Sequence, residues 1–232
     1  MGAATLLELK DFHFAWGKTP VLKGVSLKIE KGTVQGLLGA NGAGKTTLFD
    51  TLFEMHRFEN TIDFTQNLQA RTAYLPTHHF FYAYMTGEEY LRIVSPETTR
   101  QQIAEWNALF ELPLDQYAQH YSTGMQKKLA LLGVLLQDKD FLLLDEPFNG
   151  LDLAACELLK TLIFRLRARG KTILLSSHIY ETLTSCCDCI AVLEEGRISG
   201  NFNREDYSRL TQHLQTRFRD AQMDKINALL GE

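Results

Sequence analysis

The sequence predicts an α/β fold with a mostly parallel, doubly wound sheet. Short apolar runs that are typical of buried strands alternate with stretches of helical spacing in the second half of the chain. A glycine-rich stretch, residues 39–46, joins the apolar run 34–38 to the start of a helix. A long stretch of helical spacing, about residues 85–136, separates two strand-rich parts and predicts a helical insert.

Each element follows from its spacing and from local stop signals. The runs at 5–12 and 25–29 alternate in the manner of strands, Pro76 ends a strand, and Gly170 ends a helix. In chain order, the predicted strands are 5–12, 25–29, 33–38, 61–64, 71–75, 141–144, 172–175 and 190–193, and the predicted helices are 45–54, 85–94, 97–110, 124–137 and 153–169. We expect four segments, namely 1–84 as the first part of the core with the glycine-rich loop, 85–136 as a helical subdomain, 137–202 as the second part of the core, and 203–232 as a helical tail.

Composition and charge indicate an ordinary globular protein. The 232 residues are 45% hydrophobic and 22% charged, which suffices for one sizeable core. A net charge of −4 does not favour a nucleic-acid partner. No apolar run reaches the roughly 18 residues that span a bilayer, and residues 1–10 do not have the pattern of a signal peptide. We therefore expect a cytosolic protein that reaches a membrane only through a partner.

The four cysteines predict buried thiols rather than a metal or redox site. Cys186 and Cys189 form a C-x-x-C pair, with Cys187 between them. A zinc site needs a second pair of ligands, and Cys156 stands alone in a helical pattern. Small buried thiols in a reducing compartment are the simpler interpretation.

The glycine-rich stretch matches G-x-x-x-x-G-K-[ST], the pattern of a phosphate-binding loop. Its glycines let the backbone approach a phosphate chain, and the start of the following helix attracts anions. Lys45 is predicted to reach the β- and γ-phosphates of a nucleotide, and Thr46 to hold Mg²⁺ through its hydroxyl. The predicted nucleotide-binding residues here are Gly39, Ala40, Asn41, Gly42, Ala43, Gly44, Lys45, Thr46 and Thr47.

Three polar residues follow two other apolar strands of the predicted sheet. Asp145 and Glu146 come directly after residues 141–144, and His178 follows the strand at 172–175. The carboxyl ends of parallel strands share one edge of the sheet, so these side chains should face the phosphate loop. We expect Asp145 to be the second anchor for Mg²⁺, Glu146 to polarise a water molecule as general base, and His178 to act beside the γ-phosphate.

Two further stretches do not by themselves predict a function. Trp16 lies upstream of the loop, where an aromatic ring packs in a core more often than it stacks on a base. Ser122, followed by Gly124, opens a helix as a good N-cap residue, and spacing alone says no more of either.

Together these motifs resemble the ATP-binding subunit of an ABC (ATP-binding cassette) transporter, and the resemblance covers nearly all of the chain up to about residue 200. The order of motifs is the aromatic Trp16, Walker A at 39–46, Tyr74-Leu-Pro76 before the Q-loop, the signature at 121–125, Walker B at 141–146, the D-loop at 149–152, and His178. The resemblance implies a P-loop NTPase (RecA-like) fold with an antiparallel β side sheet and an inserted helical subdomain. It also implies that Trp16 stacks on adenine and that ATP, with Mg²⁺, is bound and hydrolysed.

The resemblance further implies two partners. Ser122 and Gly124 would bind the γ-phosphate of an ATP held by a second ATP-binding subunit, in a homodimer with two-fold symmetry. The hydrolysis would power a separate integral membrane permease, which places the protein in the cytoplasm, peripheral on the inner face of the cell membrane.

The chain departs from the family pattern at two places. The signature reads Tyr121-Ser-Thr-Gly-Met125 where the family usually has L-S-G-G-Q. Thr77 stands where the family has the Q-loop glutamine, and we expect this shorter side chain not to contact Mg²⁺ directly. The residues from Thr77 to Phe81, above all His79, Phe80 and Phe81, are predicted to contact the permease.

Two other classes of protein share a phosphate loop. One is a soluble, ATP-gated dimerisation module that acts on ribosomes, DNA or another cytosolic complex. Three observations argue against it, namely the single cassette, the net negative charge and the lack of a long coiled coil. A P-loop kinase is disfavoured because nothing resembles an acceptor-substrate lid. The cargo and the direction of transport would lie in the permease.

Overall fold

The computed structural model describes residues 4–54, 62–64, 67–214, 216 and 229. Its strands are β1 (Thr5–Trp16), β2 (Thr19–Glu30), β3 (Val34–Leu38), β4 (Ile62–Phe64), β5 (Thr72–Leu75), β6 (Phe141–Leu144), β7 (Thr172–Ser177), β8 (Cys189–Glu194) and β9 (Arg197–Asn203). Its helices are α1 (Lys45–Phe53), α2 (Gly87–Val94), α3 (Arg100–Asn107), α4 (Thr123–Leu136), α5 (Leu153–Ala168) and α6 (Tyr180–Cys186).

The described strands form two sheets. The larger has the order β5-β6-β7-β3-β8-β9, in which all pairs are parallel except the last. The smaller is antiparallel, with the order β2-β1-β4. The predicted α/β fold, with a mostly parallel sheet and an antiparallel side sheet, is therefore confirmed.

Side chains that alternate along the central strands pack on both faces of the larger sheet. In β3, Val34 and Leu38 join the hydrophobic cluster that includes α4 and α5, whereas Leu37 joins the cluster on the side of α1 and the small sheet. Because both faces are covered, strands such as β6 are entirely apolar and buried. Each fully buried leucine contributes about 1.5–3 kcal/mol to folding, so this sheet is a stable base for the loops at its edge.

The ends of several elements differ from prediction for local reasons. Helix α3 begins only at Arg100, because Thr99 caps it in a reciprocal box with Gln102. The predicted capping box of Thr86 and Glu89 is present at the start of α2. Strand β9 was not predicted, because its residues are exposed or half-buried and leave only a weak apolar signal.

The predicted division into four segments stays a prediction. Helices α2, α3 and α4 fall within residues 85–136, and residues 207–214 of the tail are helical. Most of the remaining tail, as well as Thr61 of the predicted strand 61–64, lies outside the described residues. In the part of the chain that is described, no helix is both long and apolar enough to cross a membrane.

Candidate functional site

Strand register brings four loops together at one edge of the parallel sheet. Leu144 of β6 is aligned with Leu75 of β5 and Leu175 of β7, and Leu38 of β3 is aligned with Ser177. The residues just beyond the carboxyl ends of these strands therefore lie side by side. They include Gly39, Thr77, Asp145, Glu146 and His178.

The phosphate loop is built on glycines that no other residue replaces without strain. A Cβ atom at Gly39 would lie 2.6 Å from the carbonyl oxygen of Leu193, so the backbone must approach closely there. Gly44, the N-cap of α1, has φ 105°, a conformation that is costly for other residues. Lys45 and Thr46 are the first two residues of α1, immediately after the loop.

Lys45 and His178 both contact Glu146, and of these three residues His178 alone is exposed. The Lys45 Nζ atom lies 3.1 Å from Glu146 Oε1, and the two side chains are only 6% and 7% exposed. The His178 ring contacts the same carboxylate, with Nδ1 3.1 Å from Oε2. The structure thus joins the predicted phosphate-binding lysine, general base and histidine in direct contact.

In this arrangement the ammonium group of Lys45 contacts only acceptors of the protein itself among the described residues. Besides Glu146, it donates to the carbonyl oxygens of Gly39 at 2.7 Å and Ala40 at 3.2 Å. An incoming phosphate has to replace some of these acceptors, because an ammonium group has only three donors. The ion pair between Lys45 and Glu146 was not predicted, since the two residues are about a hundred positions apart and belong to separate motifs.

Asp145 is completely buried, and its carboxylate accepts hydrogen bonds from three hydroxyl groups. Thr46 Oγ1 and Thr77 Oγ1 each donate to Oδ2 at 2.6 Å, and Ser176 Oγ donates to Oδ1 at 2.5 Å. Neutral hydroxyls compensate a buried carboxylate less well than a cation does. A carboxylate beside threonine hydroxyls is also the hard oxygen donor set that Mg²⁺ prefers. The residues present therefore fit the predicted Mg²⁺ ion.

The backbone of Glu146 adopts an uncommon conformation. Its φ is 48°, in the left-handed region, which costs a residue other than glycine about 1–2 kcal/mol. Its N–H group donates to Ser176 Oγ at 2.8 Å. Such strain persists only where the surroundings hold it, and it is frequent at active sites.

Thr77 lies at the predicted metal site rather than apart from it. From the sequence we expect that its side chain is too short to contact Mg²⁺ directly, and its hydroxyl shares Asp145 Oδ2 with Thr46. The reason is that β5 and β6 are hydrogen-bonded neighbours, so the residues that follow them meet without a long side chain. Whether Thr77 contacts the ion itself stays a prediction.

We expect Thr77→Val to destabilise the nucleotide-free protein but to leave MgATP affinity within about threefold. Valine keeps the shape and removes a hydrogen bond to a buried carboxylate, which contributes about 1.5 kcal/mol. The melting temperature should fall by about 3–6 °C, and MgATP should restore most of the loss. Differential scanning calorimetry with and without MgATP measures both effects, with Thr77→Ser as the matched control. An unchanged melting temperature in the valine variant would contradict this role.

Trp16 and Thr47 lie at the open side of the same site. The Trp16 ring is 59% exposed, and its Nε1 atom donates to Thr47 Oγ1 at 3.4 Å. Next to them is a cavity of about 370 Å³ that contains both phosphate-loop and Walker B residues. Its lining consists of Val21, Asn41, Gly42, Gly44, Lys45, Thr46, Thr47, Thr77, Glu146 and Asn149. A larger cavity of about 560 Å³ has His178 and residues 39–43 in its lining.

Ser122 and Gly124 lie at the start of α4, beside the D-loop. The Ser122 hydroxyl caps the helix by accepting the N–H of Met125 at 3.2 Å. A Cβ atom at Gly124 would lie 2.9 Å from the carbonyl oxygen of Gly150, so this glycine also has a packing role. Of the described residues that line the 370 Å³ cavity, none comes from α4.

The cysteines have the surroundings of structural thiols. Cys186 and Cys187 are buried, and burial raises the pKa of Cys189 to about 12. Cys189 Sγ donates to Gln35 Oε1 at 2.8 Å. Within the described ranges, no group of histidine, cysteine and acidic residues has the arrangement of a metal site.

Sequence comparison finds one family and many relatives. The family model described as "ABC transporter" matches residues 22–149. An uncharacterised ABC transporter ATP-binding protein of Nostoc sp. is 33% identical over 217 residues, covering 85% of this chain and 65% of that protein. The Nod factor export ATP-binding protein I of Burkholderia orbicola is 32% identical, covering 82% of this chain and 68% of that protein.

Structure comparison agrees with the sequence. A solved structure described as the ATP binding subunit of an ABC transporter has a TM-score of 0.77 and 27% identity, with 98% of this chain and all of that chain covered. The chain spans less than two thirds of the length of several curated relatives, at 65%, 64% and 56% for three of them.

Proposed function

Because the chain belongs to the ABC transporter family, we propose that it binds and hydrolyses ATP with Mg²⁺ and thereby powers a separate membrane permease. The observation that carries this proposal is the contact of Lys45, Glu146 and His178 beneath the phosphate loop. A phosphate chain placed at this loop would lie against a cation, a general base and a histidine together.

Each residue of the cluster has a distinct part in the proposed reaction. The loop amides and Lys45 hold the phosphate oxygens, while Glu146 accepts a proton from the attacking water and His178 orients it. Thr46 and Asp145 would hold Mg²⁺, which supplies positive charge to the phosphate oxygens when it is bound. Trp16 offers its exposed ring to the adenine base.

We propose that two copies of this chain complete the site. Ser122 and Gly124 lie on α4 and do not line the cavity around Lys45, which is the arrangement expected of residues that act on the nucleotide of a partner subunit. The exposed hydroxyl of Ser122 and the helix that it caps suit an anionic group. ATP between two copies would then hold a symmetric dimer together.

An exposed aromatic patch supports a partner at the loop after β5. Phe80, Tyr82 and Tyr84 are 74%, 63% and 72% exposed, and the first two rings pack edge to face at 5.0 Å. Clustered exposed aromatic rings mark interaction surfaces. His79 and Phe81 turn inward instead, since the Phe81 ring packs against Tyr90 at 4.9 Å. We therefore propose Phe80, Tyr82 and Tyr84 as the contact rings, and the predicted contact through His79 and Phe81 stays a prediction.

We expect Phe80→Ala/Tyr82→Ala to release the chain from membranes while its own ATPase activity stays within about twofold. The double variant removes two anchor rings of the kind that dominate interfaces, so the membrane-bound fraction should fall by about tenfold. Membrane sedimentation from the source cells measures this, with Phe164→Ala on α5 as an exposed aromatic control. If the wild-type chain instead sediments with ribosomes in membrane-free extract, the cytosolic alternative is correct.

A further inference from the structure

Lys127 is a buried lysine that none of the predicted motif roles uses. It lies on α4, five positions after the N-cap Ser122, and is 4% exposed. Its Nζ atom donates to the backbone carbonyl oxygen of Glu146 at 3.1 Å. Lysine is rarely buried unless a partner stabilises it, so this contact needs a reason.

The surroundings of Lys127 keep its charge. Burial lowers its pKa to about 8, while the nearby carboxylates of Asp145 and Glu146 act in the opposite direction. His79 faces the same region, and burial together with Lys127 lowers the pKa of its ring to about 4. At neutral pH the histidine is therefore neutral, and Lys127 carries the positive charge beside the two carboxylates.

The bond from Lys127 reaches the strained peptide of the proposed base. The Glu146 carbonyl oxygen also accepts the N–H of Asn149 at 3.3 Å, and the residue has φ 48°. A left-handed backbone at a residue other than glycine persists when neighbouring groups over-determine it. Lys127 supplies a charged donor to that backbone, which is stronger than a neutral one.

We propose that Lys127 is a positioning residue that holds the backbone of Glu146 in its strained conformation and ties it to α4. This inference rests on the proposed function, in which Glu146 is the general base. Since Ser122 caps the helix that carries Lys127, the group expected to meet the partner's nucleotide and the lysine that holds the base of this subunit belong to one rigid element. Contact with a partner's nucleotide at the start of α4 would thereby stabilise the geometry of Glu146.

Three variants test the role of Lys127. Lys127→Met keeps an unbranched chain and removes the ammonium, and Lys127→Arg keeps a charged donor. As control, Lys160→Met removes a half-buried lysine of α5 that pairs with Glu157, away from the site. We expect Lys127→Met to lower kcat on the order of 100-fold, as misplacement of a catalytic group does, with KM and MgATP affinity within about threefold. Lys127→Arg should recover at least about tenfold of that loss, and Lys160→Met should match wild type.

Hydrogen exchange of the amides of Glu146 and Asn149 gives a readout that does not depend on activity. In Lys127→Met these amides should exchange at least about tenfold faster while the strands of the sheet keep their protection. Exchange rates and a kcat equal to those of wild type in Lys127→Met would overturn the proposal. A parallel loss of MgATP affinity and of amide protection throughout the chain would also overturn it. If Lys127→Met does not fold, Lys127→Gln replaces it under the same criteria. A wild-type chain without ATPase activity would refute the proposed function, and exchange would still decide whether Lys127 holds Glu146.

Discussion

Glu146→Gln is expected to lower ATP hydrolysis by at least about 100-fold, the usual contribution of a general base. Glutamine has nearly the same size but cannot accept the proton of the attacking water. Because Glu146 also pairs with Lys45 at 3.1 Å, the change removes the anion that competes with phosphate for this lysine. MgATP affinity should therefore equal or exceed that of wild type.

The same variant reports on assembly. A subunit that binds ATP without hydrolysing it should accumulate as the closed dimer, which size-exclusion chromatography with MgATP detects. Glu157→Gln, on the exposed side of α5, is the matched control and should behave as wild type. Wild-type turnover by Glu146→Gln would show that another group is the base, and a monomer under saturating MgATP would contradict the proposed dimer.

Lys45→Ala is expected to weaken MgATP binding by at least about 100-fold, which corresponds to about 2.7 kcal/mol. The loop amides remain, but the mobile cation that reaches the outer phosphates is lost. The variant also leaves the carboxylate of Glu146 buried without its lysine. Loss of one partner of a buried pair costs about 3 kcal/mol, which for a chain of this size lowers the melting temperature by about 6–12 °C.

The double variant Lys45→Ala/Glu146→Gln separates these two effects. Removal of both charges should restore most of the melting temperature, because no buried carboxylate is then left without the lysine that balances its charge. Affinity for MgATP should stay low, since the phosphate still lacks its cation. Isothermal titration calorimetry and thermal unfolding measure the two quantities. Recovery of affinity in the double variant would mean that Lys45 acts on folding alone.

Residues within a continuous motif could be predicted from the sequence, whereas contacts between motifs could not. Gly39 and Lys45 are recognisable because loop, spacing and following helix all lie within a few positions. The contacts of Lys45 with Glu146 and of Thr77 with Asp145 depend on which strands are neighbours and in which register. A single sequence does not state register across 70 to 100 positions, so these partners emerged only with the sheet.

The sequence also does not predict which side chains of the loop after β5 are exposed and which are buried. The histidine and aromatic residues at 79–81 predict a contact surface, but not which rings face outward. The inward side is determined by Tyr90 on α2, to which Phe81 packs, and this is a tertiary contact. Lys127 shows the limit for a charged residue, because lysine is usually found at the surface, whereas this one is buried and donates to the backbone of Glu146.

The hydroxyl of Ser176 has one proton, and the structure gives that proton to Asp145. With its proton committed, the oxygen is free to accept the N–H of Glu146. One hydroxyl group therefore joins the carboxylate of Asp145, a predicted Mg²⁺ ligand, to the backbone N–H of Glu146, the proposed base. One serine thus couples the position of the proposed base to that of the carboxylate expected to hold Mg²⁺.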